Sequence, residues 1–331
     1  STRAVTSSAI TGSTGFIGRA LARRLLAAGS RVTGLARDPA RAADLAAAGM
    51  VVARGDVTRP DSLAAVFEGA EVAYHLAAVT GPAPRRRFDA VNVAGTRAVV
   101  EAARRAGVRR LVHVSSQAAV FGGEDLLDVD EDTPYPARFI DPYSRTKAEG
   151  ERIALAANSN GLEVTVVRPC LVWGPGDTTF LPNFEKLARG FGIPLPGPCD
   201  RPEATTYVDN LVDGLVLAGT TPAAAGRVYY VADAFEIGFR EFLERQLRAI
   251  GVAQPRFRSV PYRVAAPIAW LLDVPTSALG LPVQLARFGL RSAVTGRRVR
   301  IDRARRELGY EPKVGLEEGL AAMRSSRVAT P

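Results

Sequence analysis

The chain has 331 residues, 47% hydrophobic and 23% charged, which is long and apolar enough to bury a sizeable core. Its formal charge of +9 comes from 43 lysines and arginines, nearly all arginine, scattered as pairs over expected helices rather than gathered in the aromatic-studded stripe of a nucleic-acid binder. Two isolated cysteines and two separated histidines exclude a disulfide framework and a zinc cluster.

Over the first 175 or so residues, short β-branched runs alternate with longer helical patterns, the mark of βαβ units and a parallel sheet. Strands are expected over Thr6–Thr11, Arg31–Leu35, Met50–Arg54, Glu71–Leu76, Arg110–Ser115 and Glu163–Arg168. Helices are expected over Phe16–Ala28, Asp61–Phe67, Arg87–Ala106 and Pro142–Ala157. The predicted fold is α/β, with a doubly wound parallel sheet whose ligands gather outside the carboxyl ends of its strands.

Beyond Arg168 the rhythm breaks into "RPCLVWGPGD" and "GIPLPGPCDRP", and a smaller, mainly C-terminal α/β lobe is expected there. Residues 1–176, with returning segments near 205–232, are assigned to the sheet domain, and 177–204 and 233–331 to the second lobe. Within the latter, Phe180–Pro198 and Val260–Leu290 are rich in Leu, Val, Phe and Pro and poor in cations, so they are expected to line an apolar substrate pocket. The contrary reading makes them the core of that lobe.

"TGSTGFIG" places Gly12, Gly15 and Gly18 directly after the first strand and at the start of a helix. Gly12 permits a tight turn, Gly15 lets backbone approach a pyrophosphate, and Gly18 lets the helix lie on the strand. The helix N-terminus then offers free N–H groups and partial positive charge to phosphates.

Tyr143 and Lys147 stand four apart in "DPYSRTKAEGER", so they share one face of a helix that Asp141 can cap and Pro142 can start. A lysine cation beside a phenol is expected to lower its pKa from about 10 toward the working range of a general acid/base. A third group comes from "VHVSS", an apolar strand ending in Ser115-Ser116. Counting forward from the strand favours Ser116, while counting back from "VFG" leaves Ser115 open.

Together, "TGSTGFIG", "GDV" (Gly55–Val57), "HLAA" (His75–Ala78), "NVAGT" (Asn92–Thr96), "VSS" and "YSRTK" resemble the extended short-chain dehydrogenase/reductase family. "RPCLVWGPGD", "TTYVDNLVDGLVLA" and "DRARRELGYEPKVGLEEGL" extend the resemblance over almost the whole chain, and it is greatest to the 3β-hydroxysteroid dehydrogenase branch, which also contains β-ketoacid reductases. It implies a Rossmann sheet and a nicotinamide-dependent oxidoreductase interconverting a secondary alcohol and a ketone. Tyr143 would be the proton donor/acceptor, Lys147 its electrostatic partner and a ligand of the nicotinamide ribose, and Ser116 the hydrogen-bonding group at the reacting oxygen. The resemblance further assigns cofactor contacts to Gly12, Thr14, Gly15, Phe16, Ile17 and Gly18, to Asp56 and Val57, to Leu76, Ala77 and Ala78, and to Pro169 and Val172.

An enzyme that prefers NAD is expected to place an acid at the end of the second strand, where this chain has Ala36 followed by Arg37. NADP(H) is therefore the expected cofactor, with NAD(H) the alternative if Asp38 reaches the ribose hydroxyl. The expected partner is a small apolar hydroxy or keto substrate such as a hydroxysteroid, a β-keto acid or a polyketide-like ketone. A nucleotide-sugar 4-epimerase is the main rival and a non-catalytic NADP-binding sensor a minor one. No run of about 18 uncharged apolar residues and no secretory pattern are legible, so a cytoplasmic protein without a transmembrane segment is expected, with a homodimer left open.

Overall fold

The computed structural model describes residues 7–159 and 161–328. Seven strands, β1 (Ser7–Thr11), β2 (Arg31–Ala36), β3 (Val51–Arg54), β4 (Val72–His75), β5 (Arg110–Val114), β6 (Glu163–Pro169) and β7 (Val228–Val231), form one sheet. Their order is β7-β6-β5-β4-β1-β2-β3, with every neighbouring pair parallel. The winding reverses between β1 and β4, which opens a crevice at the carboxyl ends of those two strands.

Both faces of the sheet are covered, as an all-parallel sheet requires. Ile10, Tyr74 and Val112 share a cluster with Leu21 of helix α1 (Phe16–Ala27) and Leu211 of the later helix Val208–Thr220. Their chain neighbours Ala9, Ala73 and Leu111 point to the opposite face, against Val99 of α2 (Gly95–Arg105) and Ala154 of α3 (Pro142–Ala156). This period-two alternation is why near-continuous apolar runs read correctly as strands.

Six strands fall within a residue or two of expectation, although Thr6 lies outside the described residues. β7 is an addition: "VYYV" is too short to stand out, and its partner β6 lies some sixty residues earlier. Two helices differ from expectation. Instead of one helix over Asp61–Phe67 there is a 3-10 turn at Pro60–Ser62 and a short helix at Ala64–Phe67. The Ser62 hydroxyl bonds the carbonyls of Arg59 (2.7 Å) and Asp56 (3.0 Å), offering the backbone an alternative to a helical turn. The helix expected from Arg87 starts at Arg85 and contains a π-helical stretch, Asp89–Ala94, before α2. Such insertions cluster at functional sites.

Candidate active site

The glycine loop is shaped by contact. Gly12 has φ +73°, and a Cβ there would stand 2.8 Å from the Ala77 nitrogen in the loop after β4. A Cβ on Gly18 would lie 2.2 Å from the Gly12 carbonyl oxygen, so only glycine lets α1 approach the loop. At Gly15, the N-cap of α1, an added Cβ would meet nothing within 4 Å except that same oxygen, at 3.3 Å. The first turn of α1 contains no acidic residue. This cradle fits an anionic group at a helix N-terminus.

A cleft of about 240 Å³ opens beside the loop and is lined by Gly12, Thr14, Gly15, Asp56, Val57, Leu76, Ala77 and Ala78, together with Arg37. Typical ligand pockets span roughly 300–1,000 Å³, so it accounts for one end of a long ligand. Two further arginines, Arg41 and Arg87, join Arg37 in its wall, and neither was singled out from the sequence. Asp38 instead accepts a hydrogen bond from the Ala40 backbone at 3.1 Å as the cap of a 3-10 turn, and it does not line the cleft. Phe16, Ile17 and Gly18 also stay out of its wall: Ile17 packs on the core beneath α1, and Phe16 on the cluster around Trp173. Pro169 ends β6 and Val172 lies just past it, and neither lines the cleft.

Helix α3, which carries Tyr143 and Lys147, is anchored by its own sequence. Asp141, extended at φ −150°, accepts from the Ser144 backbone and hydroxyl, both at 2.8 Å, and Pro142 starts α3. One turn on, Lys147 is buried and donates from Nζ to the Val114 carbonyl at 2.6 Å, pinning α3 to the end of β5. Asn92, in the π-helical stretch, ties the helix to the cleft: its amide bonds Val79 in both directions (2.7 and 3.2 Å) and donates to Thr146 at 3.0 Å. The "NVAGT" motif contained Asn92 without revealing this tie.

The two serines part company. Ser115 donates to the fully buried Glu151 at 2.5 Å, and Glu151 also holds Arg168 (2.6 Å) and Tyr135 (2.8 Å). Ser116 caps the next turn by accepting from the Ala118 backbone at 3.1 Å and faces Tyr143. Of the two, Ser116 is the serine beside the phenol. Over the half-buried Tyr143 ring lies Phe288, edge-on at 5.7 Å, which in turn meets Phe121 at 5.9 Å. The sequence marks Phe288 only as part of Val260–Leu290; its contact with Tyr143, 145 residues away, is not legible there.

The electrostatics correct one expectation. Burial raises the Tyr143 phenol above its ordinary value, Ser116 pulls against that shift, and the Asp141 carboxylate adds to it. Lys147 does not bring the phenol down here. Its own ammonium is pushed down to about 8 by burial, opposed by Glu151. The pair thus stands as a protonated phenol beside a cation that can be lost near pH 8. Beneath it His75 is held neutral, its pKa pushed down to about 3 by burial and by the Lys147 charge, with its ring nitrogens bonded to Thr11 (2.7 Å) and Thr96 (3.0 Å).

The apolar segments depart from expectation. Phe180 and Phe184 pack on each other and on Phe239, in the same core cluster as the buried Trp173. Much of Val260–Leu290 faces outward, with Val264, Ile268, Leu271 and Leu279 all more than half exposed. Phe288 is the residue of that segment whose ring meets Tyr143. A second cavity, of about 260 Å³, lies away from Tyr143 beside β7. Its arginines are neutralised: Arg298 pairs with Glu236, Arg300 with Asp302, Arg305 with Glu311 and Arg297 with the buried Glu203.

A parallel seven-stranded sheet with a glycine loop at its switch point and a Ser-Tyr-Lys set at the end of β5 defines an extended short-chain dehydrogenase/reductase, an NAD(P)-dependent oxidoreductase. The model of the 3-beta hydroxysteroid dehydrogenase/isomerase family matches residues 9–262, and the chain belongs to that family. It is 34% identical over 320 residues to the 4-hydroxy-2-methyl-3-oxo-4-farnesyl-3,4-dihydroquinoline-1-oxide ketoreductase of Stigmatella aurantiaca, covering 96% of this chain and 95% of that one. Identity is also 34%, over 333 residues, to a 3 beta-hydroxysteroid dehydrogenase/Delta 5-->4-isomerase of Mycobacterium tuberculosis, covering 94% and 87% of the two chains. In fold it resembles the NAD complex of a UDP-glucuronic acid 4-epimerase from Bacillus cereus, with a TM-score of 0.76, 20% identity and coverage of 98% and 99%.

Proposed function

We propose that this protein is a ketoreductase that uses NADPH to convert an apolar ketone to a secondary alcohol. The observation that carries the reading is the state of Tyr143: a phenol raised by burial, facing Ser116, with the Phe288 ring against its own. A protonated phenol donates to the oxygen of a ketone, which suits reduction at neutral pH. The dinucleotide supplies the hydride when bound. Ser116 and Tyr143 orient the substrate oxygen, Tyr143 gives it the proton, and the Lys147 cation stabilises the negative charge left on the tyrosine oxygen.

Arg37, Arg41 and Arg87 support the choice of NADPH, because guanidinium groups suit a 2′-phosphate and none of the three has an ion-pair partner among the described residues. Apolar substrates are supported by Phe288 and Phe121 and by the names of the two relatives. The epimerase reading is less well supported. A nucleotide diphosphate needs unpaired cations near the substrate, whereas Arg201 is committed to Asp125 and the arginines of the second cavity are paired.

A panel of ketones, oxosteroids, β-keto acids and UDP-sugars, assayed with NADPH and NADH, tests both halves. Turnover of apolar ketones with NADPH is expected, and Arg37→Ala should weaken NADPH binding by about 1.5–3 kcal/mol with little effect on NADH. Activity confined to UDP-sugars, or equal weakening of both cofactors, would overturn the corresponding half.

The depressed Lys147 makes a separate prediction. Below about pH 8 the ammonium is charged and assists Tyr143; above it the charge is lost, so kcat/KM for ketone reduction should fall as pH rises through that value. Lys147→Arg should remove this alkaline limb, at reduced activity, because guanidinium does not titrate there. A limb unchanged in the variant would assign the titration to another group.

A further inference from the structure

Phe288 meets the Tyr143 ring from a helix that the surrounding chain holds in place. That helix, Ala286–Val294, starts after Leu285, whose φ of +56° is a left-handed conformation that a non-glycine residue adopts only when its surroundings impose it. Two contacts do so. The Asp273 carboxylate, on helix Tyr262–Ala278 and 5% exposed, accepts from the Ala286 and Arg287 backbones at 3.1 and 2.7 Å and fixes the first turn. Just before it, Pro282–Val283 pairs antiparallel with Ala83–Pro84, and Val283 and Ala83 are both buried. Ala83 belongs to the loop after β4, whose Leu76, Ala77, Ala78 and Val79 line the cleft beside the glycine loop.

The ring is braced from behind. Phe121 is 1% exposed and packs with Val120 and Leu126, whereas Phe288 is only partly buried, so Phe288 is the ring that offers surface to a ligand at Tyr143. Behind Phe121 stands the Arg297 guanidinium, 5.7 Å from the ring centroid and itself held by the buried Glu203. The helix also passes close over Gly123, where an added Cβ would come 3.5 Å from Arg291 Nε. Moving the Phe288 ring back would drive it into Phe121, and a close-packed interior yields little to such a shift.

We propose that Phe288 decides which ketones the site accepts: its ring is the wall beside the carbonyl, and it selects ketones that are apolar and slim next to the reacting carbon. The proposal rests on the ketoreductase reading. A ketone whose oxygen reaches Ser116 and Tyr143 brings its carbon substituents against the Tyr143 ring, and the Phe288 ring stands 5.7 Å from that ring. A slim apolar substituent gains burial there, whereas a branched one collides with a ring that cannot retreat. A misfit of about a methyl group in such a pocket changes selection by roughly 10–200-fold.

The test compares 2-decalone, unhindered beside its carbonyl, with 2-tert-butylcyclohexanone, which carries its bulk there. NADPH-dependent turnover and, separately, calorimetric binding of each ketone to the NADP complex are measured. The wild type should favour 2-decalone by more than about tenfold in both kcat/KM and affinity. F288A should lower that ratio at least about tenfold, raising KM for 2-decalone and admitting the hindered ketone, while keeping NADPH affinity. F288L, which keeps the helix packed, should move the ratio the same way by about threefold, and it carries the test if F288A does not bind NADPH. A ratio unchanged within about twofold in a variant that keeps NADPH affinity would overturn the role of Phe288 and leave the ketoreductase reading standing. A binding ratio that shifts in the variants, with neither ketone turned over by the wild type, would support Phe288 as the wall and count against the ketoreductase reading. A wild type that binds neither ketone would overturn the proposal.

Discussion

Replacing Tyr143 by phenylalanine is expected to lower kcat by about 10²–10⁴-fold, the range for removal of a general acid, while leaving NADPH affinity nearly unchanged. The ring and its 5.7 Å edge contact with Phe288 survive the change, as does the Asp141 cap, because that cap bonds backbone N–H groups and the Ser144 hydroxyl and not the tyrosine side chain. What disappears is the proton and the hydroxyl facing Ser116. Steady-state turnover and a fluorescence titration with NADPH separate the two effects. A variant that kept more than about a tenth of wild-type kcat would remove Tyr143 from the chemistry. Equal loss of cofactor affinity would mean that the helix had moved.

The second large effect is expected at Glu151, one turn beyond Lys147. Its carboxylate is fully buried and bonded to Arg168, Ser115 and Tyr135, with Arg168 only 2% exposed. Glu151→Gln should cost about 3–5 kcal/mol, because a guanidinium is left buried without its counter-charge. The double variant Glu151→Leu/Arg168→Leu should recover much of that loss, since it removes both charges together. Urea unfolding followed by circular dichroism measures both. A Glu151→Gln penalty under about 1 kcal/mol would show that water reaches Arg168. Turnover should fall as well, because Ser115 is bonded to Glu151 and its chain neighbour is Ser116.

Much of this architecture is written in local signals. The βαβ rhythm is legible because each strand alternates between two buried faces, and the glycine loop because Gly12 and Gly18 sit where a Cβ would strike backbone. Tyr143 and Lys147 could be read as a pair because a helix of period 3.6, capped by Asp141 and started by Pro142, sets their common face within five residues.

Other features depend on contacts between residues far apart in the chain. β7 reaches β6, Phe288 reaches Tyr143, and Arg87 joins Arg37 at the cleft only after the chain has crossed the sheet. Which serine faces the phenol depends on Glu151, thirty-six residues from Ser115, which engages Ser115 and leaves Ser116 beside Tyr143. The sign of the Tyr143 shift likewise follows from how deeply the site is buried, which spacing alone does not encode. An apolar run such as 262–281 states that its side chains avoid water. Whether they avoid it inside the protein or against another surface is decided by which face of the helix Tyr262–Ala278 the rest of the fold covers, and here it covers Ala269 and Asp273.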